Sequence, residues 1–173
     1  FEILAKDVYG VLAAPPCTQF SFARTKAKVP RNLREGMEVV NKCLEIINFC
    51  QYELISDQQK YSPLKFWALE NPYYGMLRWF LGKPAYEFNP YDFGHNYQKR
   101  TAIWGHFNDP VKAPITMTLE AKRAAATNSQ NLPKFDYMAS KDIAPDWFGK
   151  LDRQARRAIT PSGFAEAFFK ANK

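Results

Sequence analysis

Hydrophobic positions along the chain fall into short runs and one long periodic stretch. Residues 8–14 (VYGVLAA) form an apolar run ending at Pro15-Pro16, where two backbone donors are lost, and this predicts a buried strand with a sharp end. Over residues 36–50 the apolar positions Met37, Val40, Cys43, Leu44, Ile47 and Cys50 recur at helical spacing. Glu38, Asn41, Lys42, Glu45 and Asn48 lie between them, the pattern of an amphipathic helix. Residues 64–69 (LKFWAL) are a second apolar run, closed by Glu70-Asn71-Pro72. Strand, helix and strand in this order predict a right-handed crossover unit in a parallel sheet. Such sheets bind ligands at the carboxyl ends of their strands. Cys17 and Glu70 each fall just past one such end, and the crossover predicts that they are neighbours in space.

Further along, residues 100–104 (RTAIW) predict a third strand, antiparallel and at the sheet edge, and residues 108–114, with Pro110 and Pro114, a loop. Residues 116–137 are polar and alanine-rich with weak helical periodicity. A last helix is predicted from Pro161 or Ser162 to Ala171, with Thr160 as its cap and Pro161 at its first position. Phe164, Ala165, Phe168 and Phe169 give it an apolar face. The rings of Trp67, Tyr73, Tyr74, Trp79 and Phe80 read mainly as core, given the area aromatics bury, with stacking on a base as the alternative.

Composition narrows the classes. The 173 residues suffice for one domain with a substantial core, and 46% of them are hydrophobic. No apolar stretch approaches the length of about 18 residues that spans a membrane. The first residues, FEILAKDVYG, carry acids at Glu2 and Asp7 and do not resemble a signal peptide. The chain opens without Met, as a longer chain that had been cut would. Cys17, Cys43 and Cys50 have no CxxC spacing, which argues against a disulfide framework or a zinc ribbon and for a reduced, cytoplasmic protein. His95 and His106 have no third ligand near them, so no metal site is expected. The 24 Lys and Arg against 17 Asp and Glu give a net charge of +7, which suits a polyanion such as nucleic acid.

The sharpest chemical feature is PPCTQFS, residues 15–21: a cysteine on a rigid Pro-Pro turn beyond a strand. Most lone cysteines are buried and structural, but here a polar segment follows. Arg24, Lys26, Lys28, Arg31 and Arg34 occur between Phe22 and Arg34 without one acid. Such a run is commonly a solvated face. Beside a nucleophile it would also lower the thiol pKa and attract phosphates.

PPCTQFS resembles the Pro-Pro-Cys-x-x-Phe-Ser signature of DNA cytosine-5 methyltransferases. FWALENP, ending at Pro72, resembles their second catalytic motif, and FGHNYQKR, residues 93–100, is similar to their third, a Gly followed by Gln-x-Arg. The three occur in the family's order and cover residues 8–107. The tail RRAITPSGFAEAFFKAN resembles the ending of phage-type members.

The resemblance implies a Rossmann-like S-adenosyl-L-methionine-dependent methyltransferase fold, α/β with a mostly parallel sheet, of which this chain is the C-terminal part. Cys17 would add to carbon 6 of a cytosine flipped out of DNA, making carbon 5 nucleophilic towards a methyl group. Glu70 would supply or share a proton at the ring nitrogen, helped by partial burial that raises its pKa. Arg100 would hold the base or stabilise charge near its carbonyl oxygen. Gln98 would support the loops around it, and Ser21, Arg24 and Lys26 would belong to a loop closing over the DNA backbone. Pro15 is the one cofactor contact carried over.

The sequence departs from the family in four respects. Ala102 stands where a second Arg is usual, and the Gly94 to Gln98 spacing is slightly longer than usual. The glycine-rich cofactor loop is expected upstream of Phe1. The recognition insert is reduced to residues 115–158. Two other readings stay open: a non-catalytic DNA-binding remnant of a methyltransferase, and a thiol enzyme pairing Cys17 with His95 or His106.

Overall fold

The computed structural model describes residues 8–22, 24, 27–52, 64–95, 97–116, 149–151, 155 and 158–173. The chain divides into two compact units. The first comprises residues 1–87, 100–109 and 172, the second residues 88–99, 110–171 and 173.

The first unit is α/β. Strand β1 (Gly10–Ala13) leads through a single 3-10 turn (Cys17–Gln19) to helix α1 (Leu33–Tyr52) and strand β2 (Phe66–Pro72). Helix α2 (Arg78–Leu81), strand β3 (Tyr86–Phe88) and strand β4 (Thr101–His106) follow. The sheet order is β1-β2-β4-β3. β1 runs parallel to β2 with Ala13 opposite Leu69, so the predicted strand–helix–strand crossover is present. β2 and β4 are antiparallel, with Glu70 opposite Ile103 and Pro72 opposite Thr101. The sheet is therefore mixed rather than mostly parallel.

Two placements differ from expectation. β4 is antiparallel as predicted but lies inside the sheet, because the short β3 takes the edge. Glu70, Asn71 and Pro72 lie within β2 rather than beyond it, because pairing with β4 continues to Thr101 and carries the strand past its apolar run.

Helix α1 begins three residues before Gly36. Asn32 Oδ1 accepts the Glu35 N–H (3.1 Å), a side-chain cap that satisfies one of the helix's orphan donors. Its buried face meets the sheet in two places. Val40 packs with Phe20, Leu69, Leu77, Ala102 and Trp104, and Ile47 and Cys50 pack with Leu64. Gly36 permits the closest approach: a Cβ there would stand 2.9 Å from Gln19 Cβ and 2.9 Å from the Phe20 ring, so the helix start rests directly on the 3-10 turn.

In the second unit, a 3-10 turn (Pro90–Phe93) and helix α3 (Ser162–Asn172) are described. Phe88 stacks on Phe164 with centroids 3.9 Å apart, and Phe93 meets Phe164 edge-on at 5.3 Å. The predicted apolar face of the last helix is thus half right: Phe164 and Phe168 are buried, while Ala165 and Phe169 are exposed. The cap differs as well. Pro161 occupies the N-cap without a side-chain hydrogen bond, and Thr160 does not serve. Instead His95 Nε2 accepts the Gly163 N–H (3.0 Å) in the first turn of α3. The alanine-rich stretch at 116–137 lies, apart from Thr116, outside the described residues, as does most of 115–158.

Burial holds the His95 pKa below the usual imidazole value, and its acceptor role requires an unprotonated Nε2. The unfolded chain therefore binds a proton more readily than the folded one. The stability tied to His95 is present above about pH 6.5 and is lost as pH falls through the lower folded value. Denaturant midpoints compared at neutral and mildly acidic pH should fall more for the native chain than for His95→Gln, and equal slopes would contradict this linkage.

Candidate active site

Three segments meet at one end of the first unit's sheet: the exit of β1, the end of β2 and the start of β4. Their meeting follows from elementary constraints. Pro15 and Pro16 carry no N–H, so β1 cannot continue its ladder beyond Ala14. The chain turns at Cys17, whose carbonyl accepts the N–H groups of Phe20 (3.0 Å) and Ser21 (2.8 Å). Phe20, fully buried, anchors the turn in the core, while Cys17 is half-buried.

The β1 exit is tied to β2 by a side chain. Asn71, 1% exposed, donates from Nδ2 to the Pro15 carbonyl (3.0 Å). Its Oδ1 is buried and has no hydrogen-bond partner among the described residues. Glu70, the residue before, is half-buried and pairs with Ile103. The β4 entry is tied just as closely, since Tyr73 N–H donates to the Arg100 carbonyl (3.0 Å). Cys17, Glu70 and Arg100, far apart in sequence, thus belong to segments joined at one sheet end.

The Arg100 side chain is held by its own cluster. Nη2 pairs with Glu87 Oε1 at 2.7 Å, and Nη1 donates to the Tyr74 hydroxyl at 3.0 Å. The guanidinium lies 3.8 Å above the centre of the Tyr73 ring. The hydrogen bonds to Glu87 and then Tyr74 push its pKa above the ordinary guanidinium value, so the charge is permanent. The sequence did not single out Glu87 and read the tyrosines mainly as core rings, because the contacts to Glu87 and Tyr74 span 13 and 26 residues and no local pattern encodes them.

The basic segment behind Cys17 is organised by Gln19, another residue the sequence did not single out. Gln19 Oε1 accepts from Arg24 Nη1 and from Asn32 N–H, and its carbonyl accepts from Arg31 Nη1 (3.0 Å). Arg24 also donates to the Val29 carbonyl (3.0 Å). Two cations of the run therefore brace the loop, while Lys28 and Arg34 face solvent. Ser21 is buried and forms a bridge with Gly75, and Lys26 lies outside the described residues. Gln98 is exposed in the second unit.

Ala102 is buried in the core cluster, opposite Asn71, so position 102 has no room for a solvated arginine. His106 stands at the other end of β4, opposite Trp67 and three pairs from Glu70, about 10 Å along the strand at the usual rise. His95 belongs to the second unit and already accepts the Gly163 N–H. Among the described residues no group of three His, Cys, Asp or Glu could hold a metal, and no helix is long and apolar enough to cross a membrane. Pro15 is the residue carried over as a contact for S-adenosyl-L-methionine. The Pro15 ring is buried and its carbonyl is taken by Asn71, so Pro15 fits that group as an apolar contact only.

Compared with known proteins, the chain matches no family model and no curated protein.

The three thiols differ in setting. Burial pushes the Cys43 pKa up, and Cys50 is packed in the core, whereas Cys17 is half-buried on a turn two residues before Gln19, to which Arg24 and Arg31 are bonded. Brief iodoacetamide treatment of the folded chain, mapped by mass spectrometry, should modify Cys17 at least about tenfold faster than Cys43 or Cys50. Preferential labelling of either helix thiol would remove Cys17 from consideration as a nucleophile.

Proposed function

We propose that this chain carries the nucleophile and proton donor of a DNA cytosine-5 methyltransferase, on part of a Rossmann-like S-adenosyl-L-methionine-dependent fold. The observation that supports this most is the joining of the Cys17, Glu70 and Arg100 segments at one sheet end through Asn71–Pro15 and Tyr73–Arg100 hydrogen bonds. The parallel β1–α1–β2 crossover and the surplus of cations are consistent with it.

In this reading the Cys17 thiolate attacks carbon 6 of a cytosine taken out of the base stack, at a cost of about a few kcal/mol. The Glu70 carboxyl group gives its proton to ring nitrogen 3 as charge develops there, and the displaced electron pair reaches carbon 5. S-adenosyl-L-methionine, when bound, supplies the methyl group. Loss of the carbon 5 proton to a base then expels Cys17 as thiolate, and ring nitrogen 3 returns its proton to Glu70, which restores the neutral ring. Arg100, fixed by Glu87 and Tyr74, presents a permanent positive charge to the carbonyl side of the base. With position 102 buried, Arg100 takes that role without a second arginine. A thiol enzyme using an imidazole base has less support, since His106 stands at the opposite end of β4.

The test is transfer of a labelled methyl group from S-adenosyl-L-methionine to DNA by the longest natural form of this protein. Label on cytosine carbon 5 is expected. Cys17→Ala should reduce it by at least about 1,000-fold, and Glu70→Gln by about 100-fold or more. DNA that is bound but never labelled would favour the non-catalytic DNA-binding remnant.

A further inference from the structure

The rings read from sequence as mainly core are divided. Trp67 and Tyr73 pack against the core, but Trp79 is 65% exposed, Tyr74 59% and Phe80 48%, and Phe22, which was not among those rings, is 42% exposed. Their exposure is built into the fold. Phe22 lies five residues after Cys17, and its segment is fastened to the one after β2: Ser21 bridges Gly75, Phe22 N–H donates to the Tyr74 carbonyl (3.4 Å), and Met76 N–H to the Phe20 carbonyl (2.9 Å). This pairing brings Phe22 and Trp79 together, with centroids 5.8 Å apart. Buried Leu77 anchors the start of α2, and Trp104 Nε1 donates to the Gly82 carbonyl (3.0 Å) at its far end. The rings are therefore held before any partner arrives, and little ordering entropy remains to be lost on binding.

Charge selects the partner. Residues 18–34 and 71–86, which carry these rings, contain five and two Lys or Arg respectively and no Asp or Glu. Arg78 lies beside Trp79 in sequence, and its guanidinium is 5.6 Å from the Tyr73 ring centre. Flat apolar faces among cations match a polyanion that bears aromatic rings of its own. An acidic peptide offers the charge without the faces.

We infer that Phe22 and Trp79, with Tyr74, form a stacking platform for the nucleobases of a DNA strand beside the cytosine presented to Cys17. The inference rests on the proposed function for the identity of the target base, and it adds a step to it. Extruding one base leaves its neighbours with exposed faces. Aromatic rings on the turn that follows the nucleophile replace the lost stacking partner, which stabilises the opened strand and favours sites already unpaired or mismatched.

The experiment measures binding of the 173-residue chain to two labelled single strands, a deoxyoligonucleotide and an all-abasic oligomer of equal phosphate number. Trp79→Ala should weaken binding to the first by about tenfold and leave binding to the second unchanged, with Trp79→Phe restoring most of the loss. Thermal unfolding of each variant checks that the exposed position has not altered folding. Equal losses on both strands, or no loss on either, would overturn the platform. So would Trp79-dependent binding to vesicles of phosphatidylcholine and phosphatidylserine in place of the oligonucleotide, which would assign the rings to an anionic lipid surface. Base-dependent binding without methyl transfer by the full protein would leave the platform standing and remove the enzymatic reading. Methyl transfer unaffected by Trp79→Ala, together with unchanged binding, would do the reverse.

Discussion

The first unit's geometry turns on the hydrogen bond from Asn71 to the Pro15 carbonyl. Two consecutive prolines end β1 abruptly, but a chain that has lost its ladder has also lost what would fix its direction. A buried side chain on the adjacent strand supplies that direction, at the position where the segment bends towards Cys17. The arrangement carries a cost. The other half of the Asn71 amide is buried without a partner among the described residues, and a stranded acceptor of this kind costs about 1–3 kcal/mol. The fold tolerates that cost at the point where two strand ends must be kept in register.

A second cluster does for charge what Asn71 does for direction. Arg100 is held between a carboxylate, a phenol and the face of a tyrosine ring. Each partner restricts the guanidinium to one orientation, and together they keep it charged. The pair with Glu87 is partly exposed and adds little to stability by itself. Its value is orientation: a charge fixed in advance needs no rearrangement when a polar ligand arrives.

Much of this was legible in the chain. The prolines fixed the end of β1, periodicity found α1 and α3, the crossover pattern brought Cys17 and Glu70 to one sheet end, and the family resemblance pointed to the segment of Arg100. What escaped was long-range. β2 runs past its apolar stretch because β4 pairs with Glu70, Asn71 and Pro72, a partner no local pattern announces. β4 is internal because a three-residue strand covers its edge. Gln19, Glu87 and the two tyrosines act through contacts distant in sequence, and the exposure of Trp79 depends on a pairing between residues 20–22 and 74–76. The start of α1 is a different kind of miss, since Asn32 followed by Glu35 is a local capping signal that hydrophobic periodicity alone passes over.

The contact at Gly36 has a mechanical consequence. Because the first turn of α1 bears directly on Gln19 and Phe20, the helix acts as a backstop for the turn that carries Cys17. A thrust delivered to the thiol from outside is passed through the turn into a twenty-residue helix seated against the sheet, and the turn does not yield. Beyond Ser21 the described residues are held differently, by the Gln19 bonds to Arg24 and Arg31. A single side chain at position 36 would lift that turn off its seat.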